Sequence, residues 1–415
     1  MNLRLVKRFT NFSFSGKYHY LCDLKSPKLL RVKLLRFITF IIISCCFLNL
    51  HAQNDTITEN KHFYEKGVIG KVYNYFKESN EEKPYKKFDF SVIGGPHYSN
   101  ETKLGLGIVA AGIYRPDLTD SITMPSNISL YGDVTTTGFY LLGIKGYHNF
   151  RNNRFRLDYK TYFYSFPNKF WGIGYENGNN DDNKSSYKRK QVKFDVDFLT
   201  RIGGHIYIGP SVQFCNIRGC DTENYELWQN QKLNINSFAI GLTASFDTRD
   251  NLQNPYRGTY AYVNQRFYGR GIGNGDYSFS STEVAANQYC RVWKGGILAM
   301  QLHGMFTYGN TPWTMLATVG GSHNLRGYYE GRYSDKCEID ATVELRQHIY
   351  GRSGIAIWTG AGNVFSSFSE LKLKRTLPNF GIGYRWEFKN RINVRLDYGI
   401  GKGETGFVFN INEAF

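Results

Sequence analysis

Residues Gly320–Tyr329 read GGSHNLRGYY and set one arginine, Arg326, between a glycine-rich approach and an aromatic pair. A guanidinium carries a fixed fork of donors and keeps its charge at any physiological pH, so its chemistry is the capture of a carboxylate or phosphate. On a solvated surface loop that chemistry is worth little. Carried away from bulk water, the charge demands an anionic partner. Glu344, in Thr342-Val343-Glu344-Leu345-Arg346, and Asp397, in Arg395-Leu396-Asp397-Tyr398-Gly399, are among the acids that stand on the polar side of an alternating segment.

Other chemistries find less support. No Ser/His/Asp or Cys/His arrangement sits in a positioning context, so neither a catalytic residue nor a cofactor is expected. Gly105-Leu106-Gly107-Ile108-Val109-Ala110 fits a loose dinucleotide-binding fingerprint, but it lies inside an alternating strand with no helix after it. The acidic, asparagine-rich stretch Asn177–Asn183 lacks calcium-loop spacing and reads as an exposed loop. Cys215, Cys220, Cys290 and Cys337 form no CxxC pair and no His/Cys cluster, so no metal is expected; Cys215 and Cys220 are spaced for a local bridge, although isolated structural cysteines are the better reading.

The elements that must position Arg326 and its acids are strands. From Lys86 onward the hydrophobic period is two. Glu338, Asp340, Thr342, Glu344, Arg346 and His348 alternate with Ile339, Ala341, Val343, Leu345 and Ile349. Phe380, Ile382, Tyr384, Trp386 and Phe388 alternate with Gly381, Gly383, Arg385 and Glu387, and Ile392, Val394, Leu396 and Tyr398 with Asn393, Arg395, Asp397 and Gly399. Apolar faces recur with no second apolar sheet to receive them, which excludes a soluble sandwich. A barrel in lipid, apolar outside and polar within, accounts both for this and for a mean hydropathy of −0.42.

Strands are predicted at 87–97, 102–114, 126–134, 138–148, 153–164, 187–200, 204–216, 235–247, 258–268, 279–292, 296–308, 336–349, 354–362, 379–388, 392–400 and 405–415. The fold class is therefore all-β: a 16-stranded antiparallel transmembrane β-barrel spanning 86–415. The long connections 165–186, 217–234, 309–335 and 363–378 all fall on the outer face, and short turns at Arg201–Gly203, Lys294–Gly295 and Lys389–Arg391 on the inner one. Loop 309–335, which carries Arg326, is the longest and is expected to fold into the lumen.

Charge and the N-terminal region agree with export. The 415-residue chain has a formal charge of +16, but nine of its 51 basic and one of its 35 acidic residues lie in 1–52, leaving 42 against 34. The nucleic-acid reading weakens accordingly, and no zinc-finger or helix-turn-helix pattern revives it. Arg31, Lys33 and Arg36 precede the apolar run Phe37–Leu50 and the small-residue site His51-Ala52, the order of a signal peptide with an over-long lead. Residues 1–52 are thus expected to be removed, with Gln53 first in the mature chain; a lipoprotein reading at Cys45 ranks second. Residues 53–85 form a short periplasmic segment in which Val68, Ile69, Val72 and Phe76 share a helical face.

Three separated stretches resemble one family, the BamA/TamA-like outer-membrane barrels of the bacterial surface antigen group. Asp247-Thr248-Arg249-Asp250-Asn251 with Pro255 and Gly258 resembles the family's periplasmic turn. Gly320-Gly321 with Leu325-Arg326-Gly327-Tyr328 resembles its lid-loop motif, and Gly381–Trp386 with Arg395–Gly399 its last strands. The resemblance implies a loop arginine held inside the lumen by acids on neighbouring strands, with Glu344 at one expected position. Gly360 stands where the family's second acid belongs, so Asp397 is the expected substitute. It also implies a C-terminal assembly signal, Phe407, Phe409, Ile411 and Phe415 on one outward face, read by the barrel-assembly machinery that inserts the chain into outer-membrane lipid. The function implied is help in inserting or translocating other proteins. The segment 53–85 is too short for a periplasmic transport-associated (POTRA) module, which leaves room for separate periplasmic or outer-membrane protein partners; the competing reading is a passive or structural barrel plugged by the arginine loop.

Overall fold

The computed structural model describes residues 68–77, 79, 87–99 and 103–415; the signal-peptide reading of 1–52 and the expected mature start at Gln53 lie outside the described residues. The chain divides into two units, Met1–Tyr75 and Phe76–Phe415. The stretch read as an amphipathic helix is helical over Val68–Lys77 (α1).

The second unit is one antiparallel sheet of sixteen strands, each paired with its neighbours in sequence. These are β1 (Phe88–Ser99), β2 (Lys103–Tyr114), β3 (Ser126–Thr135), β4 (Tyr140–Asn149), β5 (Phe155–Phe170), β6 (Ser185–Gly203), β7 (Ile206–Cys220) and β8 (Asn234–Asp247). They continue as β9 (Gly258–Tyr268), β10 (Phe279–Trp293), β11 (Gly296–Gly309), β12 (Cys337–Tyr350), β13 (Ser353–Phe365), β14 (Leu377–Lys389), β15 (Ile392–Ile400) and β16 (Thr405–Ile411). A two-residue ladder, Ala317–Thr318 with Ser334–Asp335, forms inside the β11–β12 connection. Among the described residues no helix is long and apolar enough to cross a membrane, which says nothing about crossing by strands.

The alternation sorts side chains as their chemistry requires. Phe380, Ile382, Val343 and Tyr398 are exposed on one face, while Glu344, Arg385, Arg395 and Asp397 on the other are buried. Cross-strand register sets the partners: Glu344 stands opposite Trp358, and Gly383 opposite Asp397. The four cysteines among the described residues are free thiols, so Cys215 and Cys220 are not bridged.

Three expectations change at the ends of strands. β5 runs on to Phe170 and β6 begins at Ser185, so both ends of the predicted loop 165–186 are ladder and the connection shrinks to 171–184. Pro167 masks this extension, because a residue without an amide donor argues locally against a strand. Phe388 and Ile392, read as outward, are both buried, because a register shift between Glu387 and Lys389 rotates the end of the β14–β15 hairpin. The last strand stops at Ile411, not Phe415: Asn412 has φ 69° and turns the chain. Phe407 and Phe409 are exposed as expected, but Phe415 turns to the polar face, its ring 6.5 Å from that of buried Tyr289.

Candidate functional site: a buried charge cluster under the β11–β12 loop

Glycine governs how Arg326 reaches the sheet. Gly327 has φ 120°, and a Cβ there would sit 2.7 Å from the backbone of Gly399 on β15. The reverse also holds, since a Cβ on Gly399 would lie 2.1 Å from the carbonyl oxygen of Arg326. Loop and strand backbones therefore touch, which only two glycines permit. Leu325 (φ 36°) is buried with Val319, Tyr328, Tyr333, Val364 and Leu377, an apolar anchor beside the charge. Gly320 and Gly321 close the turn, where the Gly321 amide donates to the Tyr328 carbonyl at 3.1 Å. The Tyr328 hydroxyl donates to the Pro378 carbonyl and accepts from the Lys402 amide, both at 2.7 Å.

The guanidinium so delivered is 1% exposed. It donates through Nη2 to Glu344 and through Nη1 to Oδ2 of Asp397 at 2.6 Å, and its Cζ lies over the Trp358 ring, 3.7 Å from the ring centre. The structure thus brings together all three residues singled out from the sequence. It also assembles a larger set around them. Asp397 accepts from Arg385 at 2.5 Å and from Arg395 at 2.6 Å. Glu344 accepts from Arg346 at 2.7 Å, and Glu413 accepts from Arg385 at 2.8 Å. Four guanidiniums (Arg326, Arg346, Arg385, Arg395) and three carboxylates (Glu344, Asp397, Glu413) thus interlock, every one of them buried. Two of the guanidiniums also reach backbone oxygens, Arg395 donating to Ser322 O at 2.6 Å and Arg346 to Phe415 O at 3.1 Å. Glu413 lies beyond the last strand; burial pushes its carboxyl up, but Arg385 and Arg346 overcome this and hold it below the usual range.

Gly360 explains why no second acid comes from β13. A Cβ there would lie 2.7 Å from Asn379 Oδ1 and 2.8 Å from Thr342 Oγ1, leaving no room for an aspartate. Asn379 fills the space and donates Nδ2–H to the carbonyl of Arg326 at 2.9 Å.

The same loop reaches distant strands. Tyr329 donates its hydroxyl to Asn168 of β5 at 3.2 Å, and Arg332 pairs with Asp181 at 2.8 Å in the β5–β6 connection. Glu404, in the β15–β16 turn, accepts from the Tyr329 amide at 3.2 Å. One loop touching β5, β13, β14 and β15 requires a sheet curled around it.

The turn residues singled out from the sequence form a separate brace. Arg249 pairs with Asp247 through two hydrogen bonds of 2.9 and 2.7 Å and covers the Tyr260 ring at 4.0 Å. Asp250 accepts the Tyr256 amide at 2.9 Å and binds Arg391, in the β14–β15 turn, at 2.5 Å. Burial opposes ionisation of Asp250, but these bonds win and hold it below the usual carboxylate range. Pro255 is buried, and Gly258 (φ 111°) lets the Thr248 carbonyl approach to 2.4 Å of where a Cβ would be.

A sixteen-stranded sheet with a loop arginine clasped by strand acids defines a class of outer-membrane barrel. Residues 137–415 match the Omp85 superfamily domain, and the chain belongs to that superfamily, in its BamA/TamA-like branch. Among solved structures it is similar to BamA from Haemophilus ducreyi lacking POTRA domains 1–3, at 14% identity and TM-score 0.50, covering 79% of this chain and 71% of that one. It is also similar to CdiB from Acinetobacter baumannii (10%, TM-score 0.50, covering 79% and 60%) and CdiB from Escherichia coli (10%, TM-score 0.52, covering 80% and 62%). The chain thus spans less than two thirds of either CdiB chain. No curated protein sequence matches it. At a coarse level the family supports an outer-membrane protein acting in insertion or translocation of other proteins.

Proposed function

We propose that the sixteen strands form a transmembrane barrel whose β11–β12 loop folds into the lumen as a lid, and that the barrel assists insertion or translocation at the seam between β1 and β16. One observation carries this reading: among the described residues every strand is paired to its sequence neighbours, but no ladder joins β1 to β16. Lys389 of β14 nevertheless lies 2.6 Å from Asp89 of β1, so the sheet curls far enough to bring its ends near each other. An edge presenting unpaired amides and carbonyls can template an incoming strand. The charge cluster supports the lid, since it fixes the loop with contacts too buried for water to replace.

Depletion followed by quantitative outer-membrane proteomics tests the proposal. Loss of a set of other barrel or secreted proteins is the expected result. An unchanged proteome, together with steady conductance of the purified protein in a planar bilayer, would replace it with a passive pore plugged by the loop.

A further inference from the structure

A second buried cluster flanks the lid and is not used by the charge network around Arg326. His303 on β11 stands directly across the ladder from Asp340 on β12, with Glu338 on the same face. Nδ1 of His303 lies 3.1 Å from Asp340 Oδ2 and 3.2 Å from Glu338 Oε2. Both acids are 1% exposed, and their ion pairs among the described residues are with His303. Yet both Glu338 oxygens and Asp340 Oδ1 lack any hydrogen-bond donor. With both acids ionised, one imidazolium leaves a negative charge and three acceptors unanswered, a costly arrangement away from water.

The other side of the ring indicates what answers them. Nε2 faces Glu283 Oε1 at 3.7 Å, and Glu283 is itself held by the Tyr262 hydroxyl. Glu283 thus stands on the side of the ring where a carboxylate backs a metal-bound histidine, one short shift from taking an Nε2 proton. The Nδ1 lone pair then points at the two bare carboxylates. Asn324, two residues before Arg326 in the lid, places its amide 3.0 Å from Nδ1. Turning that amide over, which exchanges two atoms of nearly equal size, would present Oδ1 as a fourth donor. Ligand atoms of a tetrahedral site with bonds of ~2.0 Å lie ~3.3 Å apart, and the spacings about Nδ1 already match. One imidazole with carboxylate and amide oxygens suits a first-row transition dication better than calcium or magnesium, which take all-oxygen sets.

We infer that His303, Glu338, Asp340 and Asn324 form a divalent transition-metal site, with Glu283 behind the histidine, and that metal binding pins the lid at a second point. Asn324 is only half-buried, so an ion can enter from its side. The inference holds whether the barrel inserts proteins or is a plugged pore.

The test is isothermal titration of Zn2+ into the untagged full chain, refolded in detergent and freed of metal with a chelator. Parallel proteolysis reads the exposure of residues 310–336, and calcium serves as the control. One equivalent should bind and slow cleavage of the loop, while calcium does neither. The Glu338→Gln/Asp340→Asn pair should weaken binding by about 100-fold or more, and Asn324→Ala by ~10-fold, judged against the usual cost of losing even an outer partner of a metal ligand. Asn324→Ala should also abolish the effect of Zn2+ on cleavage. Absence of saturable Zn2+ binding, or binding unchanged in the double variant, overturns the site. If the double variant fails to fold, Asn324→Ala decides alone: unchanged affinity and an unchanged cleavage effect of Zn2+ sink the proposal.

Discussion

At the residue scale the cluster is governed by its charge count. Asp397 receives three guanidiniums, from Arg326, Arg385 and Arg395. Among side chains, Asp397→Asn would leave four guanidiniums facing Glu344 and Glu413, whereas Arg326→Met leaves three against three. Removing one partner of a buried pair costs about 3–5 kcal/mol where it strands the other, so the two variants should differ. Asp397→Asn should clearly lower the temperature at which the folded gel band converts to the unfolded one. Arg326→Met should lower it much less, yet expose residues 310–336 to protease. Equal midpoints for the two variants would show that charge balance does not organise the site. Acid acts through Glu413 as well as through Asp250. The folded Glu413 carboxyl is held below the unfolded value of 4.5, so the stability it contributes is complete above that value and is lost as pH falls through the lower, folded one. The conversion temperature of the parent should therefore drop below about pH 4.5, and Glu413→Gln should start lower at neutral pH and drop less. Parallel acid curves for the two proteins would remove Glu413 from the network.

At the element scale the loop is seated by backbone contact as much as by charge, and Gly399 separates the two. Its missing Cβ would sit 2.1 Å from the Arg326 carbonyl oxygen and 2.5 Å from the carbonyl carbon. Gly399→Ala should lift the loop and raise protease cleavage within 310–336 with every charge retained. Gly203→Ala, which meets nothing within 4 Å, should change stability by less than ~0.5 kcal/mol. A Gly399→Ala loop as protected as the parent's would mean that the side chains alone hold it. How far the sequence reveals this site follows from the same geometry. Period two turns Glu344 and Asp397 to the polar face and places Arg385 and Arg395 beside them, so the composition of that face is readable. Which guanidinium meets which carboxylate depends on register between strands, and the sequence does not print register. That is why the His303–Asp340 pair goes unseen although each residue sits in a clear alternation. Phe415 is misplaced, and Glu413 goes unseen, for a different reason: parity assumes an extended chain, and the left-handed Asn412 ends it. Trp358 goes unseen as well, because its place beside Arg326 depends on a loop conformation set by Gly327.

At the scale of the whole molecule the ladders are unequal, and the inequality bears on the seam. β5 and β6 pair over sixteen residues, from Phe155 opposite Thr200 to Phe170 opposite Ser185. β16 has seven residues, all paired on one side to β15. β1 is paired to β2 alone. Opening a strand from a long two-sided ladder breaks many hydrogen bonds at once; opening a short edge strand breaks few, so local unfolding free energies should rise from the seam toward the middle of the sheet. Hydrogen exchange of the protein in detergent or bilayer should therefore be slowest in β5–β7 and fastest in β1 and β16. Lys389→Ala, which removes the tie to Asp89, should speed exchange of β1 further and leave β6 unchanged. Protection of β1 and β16 equal to that of β6 would mean that a full ladder closes the barrel in the membrane. The unpaired edge could not then serve as the template for incoming strands.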